Sequence, residues 1–131
     1  MKYSILNLCD KNSGQLPDFD LSCKFILIQN VDEAWMVFGA LSIYRYHADL
    51  AAKFCDINDV PYHWTKKPDL IEIHEAAYKI KGGGLIRILV KSKRLEFGGY
   101  STAYGKFGRD LLKQFLAESP VFRGYEVVIG T

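Results

Sequence analysis

Apolar and polar residues alternate along much of the chain, and this pattern predicts several β-strands. In the segment CKFILIQN, residues 23–30, Lys24 begins a row of side chains on one face and Phe25 begins a row on the other. Lys24 shares its face with Ile26 and Ile28. Because both faces are largely apolar, we expect a central strand that is covered on both sides. Shorter strands are predicted at residues 3–8, 34–41, 70–74, 77–80 and 125–130.

A helix is predicted over residues 46–57, where His47, Leu50 and Phe54 recur at the spacing of one helix face. His47 therefore stands near the beginning of this helix, on the side that faces the sheet. The next segment, residues 56–69, is punctuated by two prolines, and we interpret it as a loop.

A β-hairpin and a second helix are predicted in the second half of the chain. Residues 85–90 and 94–99 are two apolar segments around the polar link KSK, a pattern typical of a hairpin. Ser101 follows and is a favourable N-cap, so we expect a helix to begin there. Phe107 and Phe115 lie on the apolar stripe of this helix.

These elements together predict an α+β fold. About six strands, joined to their neighbours by short links, would form a single, largely antiparallel or mixed sheet covered by two helices. A chain of 131 residues is long enough for one domain with a real core, so we expect a single domain over residues 1–131.

Composition and cysteine use exclude several classes of protein. The net charge is +2, and no apolar run is long enough to cross a bilayer. Residues 1–11 lack the pattern of a secretory signal, so we expect a cytoplasmic protein without a membrane partner. Cys9, Cys23 and Cys55 are odd in number and far apart in sequence, which is typical of thiols in a reducing compartment. No cysteine or histidine spacing resembles a zinc site, so no metal is expected.

Positive charge is concentrated between residues 76 and 95, which contain six basic residues and no acidic residue. Such a cluster attracts phosphate groups or acidic partners, although most charged runs are solvated faces. Nucleic-acid binding is the weakest interpretation, because neither a known motif nor a clear aromatic platform accompanies the charge. The six residues are Lys79, Lys81, Arg87, Lys91, Lys93 and Arg94.

Two local features also bear on anion binding. The glycines Gly82–Gly84 match neither a P-loop nor a dinucleotide fingerprint, and glycines within a strand usually mark a bulge or the close approach of another group. A helix beginning at Ser101 would direct its first backbone N–H groups outward, as anion-binding helix N-termini do. The simpler interpretation is an ordinary helix cap.

His47 is the residue most open to a chemical role. A histidine that faces the sheet is more often part of the core, but a neutral imidazole near pH 7 is also a natural general base or nucleophile. No Ser-His-Asp order accompanies it, so acyl hydrolysis has little support.

The order of several short motifs resembles the Janus/Ocnus family, which includes protein histidine phosphatases. The matching segments are CKFILIQ from Cys23, YHAD at Tyr46–Asp49, GGG at Gly82–Gly84, GGYSTAYG at Gly98–Gly105, and the closing strand YEVVI. The resemblance covers most of the chain from about Lys24 onward.

The resemblance implies a metal-independent phosphatase that hydrolyses the P–N bond of phosphohistidine in a protein or peptide. The catalytic residue would be His47, as a general base or as a nucleophile. No cofactor and no nucleic acid is implied, and we expect a monomer. The phosphate pocket would be formed by Lys24, Gly82, Gly83, Gly84, Ser101, Thr102 and Ala103.

Two positions depart from the family's pattern. The family has an arginine directly after the three glycines, where this chain has Leu85, and another on the strand before the histidine, where it has Gly39. Arg87 should project from the same strand face as Leu85 and substitute for the first arginine. His47 and Lys24 favour an enzyme. Leu85 favours the alternative, a non-catalytic regulatory protein of the same fold that binds a phosphorylated or acidic partner.

Overall fold

The computed structural model describes residues 1–9 and 14–130. Within these residues the chain forms eight strands, two α-helices and one short 3-10 helix. In chain order they are β1 (Lys2–Asn7), β2 (Leu21–Gln29), β3 (Glu33–Ala40), α1 (His47–Ile57), β4 (Tyr62–Lys66), β5 (Leu70–Ile73), β6 (Lys79–Leu89), β7 (Arg94–Gly98), α2 (Arg109–Glu118), the 3-10 helix Pro120–Phe122, and β8 (Glu126–Ile129). In this part of the chain no helix has both the length and the apolar character needed to cross a membrane.

Six strands form one mixed sheet in the order β1-β3-β2-β6-β7-β8. The inner pairs are antiparallel, whereas the outer pairs β1–β3 and β7–β8 are parallel. The predicted α+β fold, with a mixed sheet of six strands and two helices, is confirmed. β4 and β5 form an additional two-stranded antiparallel sheet, which we call the β4–β5 hairpin.

Both faces of β2 are covered, as the sequence predicted. On one face, Phe25 packs in a cluster with Leu112 and Phe115 of α2. On the other face, Ile26 packs in a second cluster with Leu50 and Phe54 of α1. The two helices therefore lie on opposite sides of the sheet. The α1 and β6–β7 hairpin predictions are also confirmed.

The loop predicted over residues 56–69 is wrong in its second half. Residues 62–66 form β4, which pairs with β5. Tyr62 and Trp64 do alternate with exposed polar residues, but the strand has only five residues between two prolines, and the prolines favoured the loop interpretation. The two prolines, Pro61 and Pro68, lie outside the strand on either side of it, where they remove no ladder hydrogen bond.

The second helix does not begin at Ser101. It begins at Arg109, after the N-cap Gly108. Ser101 instead opens a turn over residues 101–105, closed by hydrogen bonds from Gly105 N–H to the Ser101 carbonyl oxygen (2.8 Å) and from Ser101 N–H back to the Gly105 carbonyl oxygen (3.1 Å). Phe107 is buried before the helix starts, with its ring centroid 5.3 Å from that of Phe25. Of the two residues predicted on the apolar stripe of the helix, Phe115 therefore lies on α2 and Phe107 does not.

Two of the three cysteines are neighbours in space although they are far apart in sequence. Cys23 and Cys55 are buried, and the sulfur atoms of Cys9 and Cys23 are 3.5 Å apart. The contact with Cys9, together with burial, raises the pKa of the Cys23 thiol, and burial raises the pKa of Cys55 to about 11. Both buried thiols therefore stay protonated at neutral pH, as expected of structural cysteines.

Candidate functional site

His47 is the first residue of α1, and the YHAD motif explains why the helix begins there. The Tyr46 N–H donates to the Asp49 carboxylate (3.3 Å), and the Asp49 N–H donates to the Tyr46 carbonyl oxygen (3.1 Å). This reciprocal pair satisfies backbone groups that a helix start leaves without partners. Asp49 thus has a structural role that fixes the position of His47.

The imidazole of His47 is buried and held by the sheet. Its Nε2–H donates to the carbonyl oxygen of Gly84 on β6, at 3.0 Å. Because a carbonyl oxygen can only accept, Nε2 carries the proton in the neutral ring. Nδ1 is then the nitrogen with a lone pair, able to accept a proton or to attack an electrophile.

The electrostatic surroundings keep this ring neutral. Burial is the main cause that lowers the pKa of His47, and the positive charge of Lys24 lowers it further. The Gly84 carbonyl acts in the opposite direction, but the net shift is downward from 6.5. Near pH 7 the imidazole is therefore neutral and Nδ1 carries no proton, as a general base or nucleophile requires.

The three glycines of β6 lie at close approaches, and one of their near neighbours is His47. A Cβ at Gly83 would clash with the Phe25 carbonyl oxygen and lie 2.9 Å from Cδ2 of His47. A Cβ at Gly84 would clash with the Gly98 carbonyl oxygen. Gly82 has a φ of +84°, which favours glycine. Gly83 therefore lies beside the imidazole and Gly84 supplies its hydrogen-bond acceptor, whereas none of the three glycines lines the adjoining cavity, contrary to the sequence prediction.

A cavity of about 720 Å³ adjoins His47. Its wall contains cations, exposed apolar side chains and the first part of the turn at residues 101–105, drawn from five separate parts of the chain. The predicted site residues His47, Lys24, Ser101, Thr102 and Ala103 all line it. The remaining lining residues are Arg45, Tyr46, Lys66, Asp69, Leu70, Leu85, Gly99 and Tyr100.

Lys24 lies between the two positions at which the chain departs from the Janus/Ocnus pattern. In the sheet register it is opposite Gly39 on β3 and opposite Leu85 on β6. A side chain at Gly39 would clash with the ring of Tyr44, and Leu85 is exposed at the cavity. Lys24 is therefore flanked by residues without charge.

The positive charge that these positions lack comes from a different place. Arg45, two residues before His47, lines the cavity. Arg87 lies on the expected face of β6 but forms an ion pair with Glu96 (3.5 Å) and is not among the lining residues. The structure thus does not bring Arg87 into the cavity wall, contrary to the sequence prediction.

The turn at residues 101–105 carries backbone N–H groups without an acceptor at residues that line the cavity. Ser101 is buried, and its Oγ accepts a hydrogen bond from the Tyr104 N–H (3.1 Å). In the described part of the chain, no acceptor is found for the N–H groups of Thr102 and Ala103. Successive backbone amides of this kind are a common binding site for anions. The predicted helix start is wrong, but the residues remain candidates for phosphate binding.

The basic run at residues 76–95 is partly neutralised in the folded chain. Arg94 forms ion pairs with Glu96 (2.8 Å) and with Glu126, and Glu96 also pairs with Arg87. The acids come from β7 and β8, outside or at the edge of the run, so the sequence pattern overstated the local charge.

Sequence reasoning missed the β4–β5 hairpin as part of the site. Lys66, Asp69 and Leu70, at its turn, line the cavity. The backbone N–H of Ile71 donates to the phenolic oxygen of Tyr104 (3.1 Å), which joins the hairpin to the turn at residues 101–105. No local pattern reports this contact, because its partners are 33 residues apart.

Comparisons with known proteins do not assign the chain to a family. No protein-family profile matches the chain, and no curated protein sequence matches it. Among the described residues, no group of three or more histidine, cysteine, aspartate or glutamate side chains is arranged to hold a metal ion. The candidate site is thus a cationic cavity with backbone amides and one neutral imidazole, a set of groups suited to a phosphoryl group.

Proposed function

We propose that the protein is a cytoplasmic, monomeric phosphohistidine phosphatase that hydrolyses the P–N bond of phosphorylated histidine in proteins. The observation that carries the proposal is the state of His47: Nε2 is committed to the Gly84 carbonyl oxygen, so Nδ1 is the basic nitrogen beside a cationic cavity. The motif resemblance to the Janus/Ocnus family supports the same activity and implies a reaction that needs no metal.

In this proposal, different residues of the site bind the phosphoryl group and transfer the proton. Lys24 and the amides of Thr102 and Ala103 hold the phosphoryl oxygens, so that charge developing on them is stabilised. Nδ1 of His47 takes a proton from a water molecule while the water oxygen attacks phosphorus. The P–N bond breaks and its electron pair goes to the leaving imidazole of the substrate, which takes up a proton from protonated His47 directly or through water. Inorganic phosphate is formed and His47 returns to its neutral state.

The same geometry also permits a two-step route. Nδ1 of His47 would attack phosphorus and carry the phosphoryl group until water removes it. We favour the general-base route. In either case the P–N bond is already reactive, so positioning and electrostatic stabilisation supply most of the rate.

The test is phosphate release from a phosphohistidine peptide, with and without EDTA, by wild type and by His47→Ala. We expect EDTA-resistant release that falls by about 10²–10⁴-fold when the base is removed. His63→Ala is the matched control, because His63 lies on β4 and is not a lining residue of the cavity. Release that survives in His47→Ala would overturn the role of His47, and absence of release from folded wild type would overturn the phosphatase.

A second function is favoured by one observation. The uncharged residues Gly39 and Leu85 flank Lys24 where the related family has arginines. A pocket with weaker stabilisation of developing charge suits a regulatory protein that binds a phosphorylated or acidic partner without cleaving it. Saturable binding of a phosphopeptide by wild type, without phosphate release, would support this function over the enzyme.

A further inference from the structure

The β4–β5 hairpin is a fixed part of the cavity wall. Ile71 of β5 is buried in the cluster beneath α1, and its N–H donates to Tyr104 in the turn at residues 101–105. The hairpin is therefore attached both to the helix that carries His47 and to the turn that offers backbone amides. Lys66 and Leu70, at the end of the same hairpin, line the cavity.

The cavity has more positive charge than one phosphoryl group requires. Three cations line it, Lys24, Arg45 and Lys66, whereas Asp69 is the one acid among its lining residues. Asp69 is 3.8 Å from Lys66 Nζ, but both side chains are substantially exposed, so this pair is weak and easily exchanged. His47 contributes no charge near pH 7. The proposed phosphoryl site uses Lys24, which leaves Arg45 and Lys66 for another group.

The volume and the apolar lining of the cavity also suit a ligand that is larger than a phosphoryl group. Its volume of about 720 Å³ lies within the range of sites that enclose whole small molecules or several side chains. Leu70 and Leu85 add apolar surface to the wall. A phosphoryl group alone would contact only part of it.

We propose that Arg45 and Lys66 form a second anion subsite, and that the preferred ligand is a phosphohistidine with a carboxylate side chain close to it in sequence. This inference deepens the proposed function and rests on it for the identity of the phosphorylated residue. The phosphoryl group occupies the site at Lys24 and the amides, and the neighbouring carboxylate is held by Arg45 and Lys66. Substrates would thus come from acidic segments of protein.

The experiment compares two peptides that carry a non-hydrolysable phosphonate analogue of phosphohistidine. In one peptide the flanking residues are glutamate and in the other they are glutamine, and affinities are measured by titration calorimetry at low salt. Wild type should bind the glutamate peptide about fivefold more tightly, the scale of a partly exposed charge pair. Lys66→Gln should abolish most of this ratio. Lys67→Gln is the matched control, since Lys67 is adjacent in sequence but is not a lining residue of the cavity.

Hydrolysis of phosphoramidate by wild type, measured in parallel, separates this inference from the proposed function. Hydrolysis combined with equal affinity for the two peptides would overturn the second subsite and leave the phosphatase. A glutamate preference that depends on Lys66, without hydrolysis, would support the subsite and overturn the phosphatase. A preference that Lys66→Gln and Lys67→Gln reduce equally would overturn the assignment to Lys66.

Discussion

Both faces of the six-stranded sheet carry a packed cluster of buried side chains, but the two faces differ around His47. On the α2 face, aromatic rings fill the space: Phe25 lies 5.4 Å from Phe97 and 5.3 Å from Phe107, measured between ring centroids. On the α1 face, the sheet near His47 carries glycine instead of large side chains, and Gly83 lies directly beside the imidazole. The first face is closed, whereas the second leaves a cavity next to a buried base.

Adjacent residues of the central strand β2 lie on the two different faces. Phe25 belongs to the closed core, and Lys24 lies on the face of the cavity. Because successive residues of a strand point to opposite faces, neighbouring residues of one strand can belong to a packed core and to a binding site. Substitutions on the two faces should therefore affect stability and activity differently.

The largest expected effect is on the closed face. Phe115→Ala should lower the free energy of unfolding by about 3–5 kcal/mol, because it leaves a cavity in the fully buried cluster beneath α2. Urea denaturation measures this loss. Phosphate release per folded molecule should stay the same, since Phe115 is not a lining residue of the cavity. A loss of activity without a loss of stability would contradict the separation of the two faces.

The next effect combines stability and activity. Gly83→Ala should cost about 1–3 kcal/mol and also reduce phosphate release, because the new Cβ meets the Phe25 carbonyl oxygen and crowds the ring of His47. Gly98→Ala is the control: a Cβ there meets nothing within 4 Å. Equal behaviour of the two variants, in denaturation and in activity, would show that Gly83 does not position the base.

A smaller effect concerns the proton affinity of His47. Lys24→Gln should raise the pKa of His47, because the positive charge that opposes its protonation is removed. NMR titration of the imidazole measures this shift without reference to catalysis. Lys53→Gln, an exposed substitution on α1, serves as the control. An unchanged or lower pKa in Lys24→Gln would show that Lys24 does not act on the ring.

The same lowered pKa has a consequence for stability. Between the folded pKa of His47 and its ordinary value of 6.5, the unfolded chain binds more protons than the folded chain, so unfolding becomes easier as the pH falls. The resulting loss of stability is absent above pH 6.5 and grows as the pH falls from 6.5 to the folded pKa of His47. The measurement is the free energy of unfolding of wild type and of His47→Gln as a function of pH. Equal losses of stability in the two proteins as the pH falls would contradict the expected role of His47.

The smallest effect on stability is expected at the exposed rim. Leu85→Arg should change the free energy of unfolding by no more than about 0.5 kcal/mol, because Leu85 is 44% exposed. It should increase phosphopeptide affinity and phosphate release, since a cation then lies opposite Lys24. Val128→Arg, an exposed substitution on β8, adds the same charge away from the cavity. Equal gains from both substitutions would indicate a general charge effect.

The elements that the sequence predicted well depend on local patterns. β2 and α1 have side-chain periodicities that fix which face each residue takes, and the structure follows them. The convergence of His47 and Lys24 on one cavity was expected from the motif resemblance, and the structure places both residues in its wall.

The missed features depend on contacts between distant residues. The turn at residues 101–105 replaces a helix because its neighbours pair with the sheet: Gly83 forms a bridge with Lys106, and the Gly83 N–H donates to the Gly105 carbonyl oxygen (3.1 Å). The N-cap propensity of Ser101 is real but too weak to outweigh these bonds. Arg45 and Lys66 carried no motif, so only the fold brings them to the cavity.

The hydrogen bond between His47 and the Gly84 carbonyl oxygen has a consequence for how the site could diversify. The partner that orients the imidazole is a main-chain atom, which no side-chain replacement can delete. The rim residues Arg45, Lys66 and Leu85 can then be exchanged while the orientation of the base is inherited unchanged. Under the proposed function, reactivity and ligand selectivity therefore depend on different residues, so a change of ligand preference would leave the orientation of His47 intact.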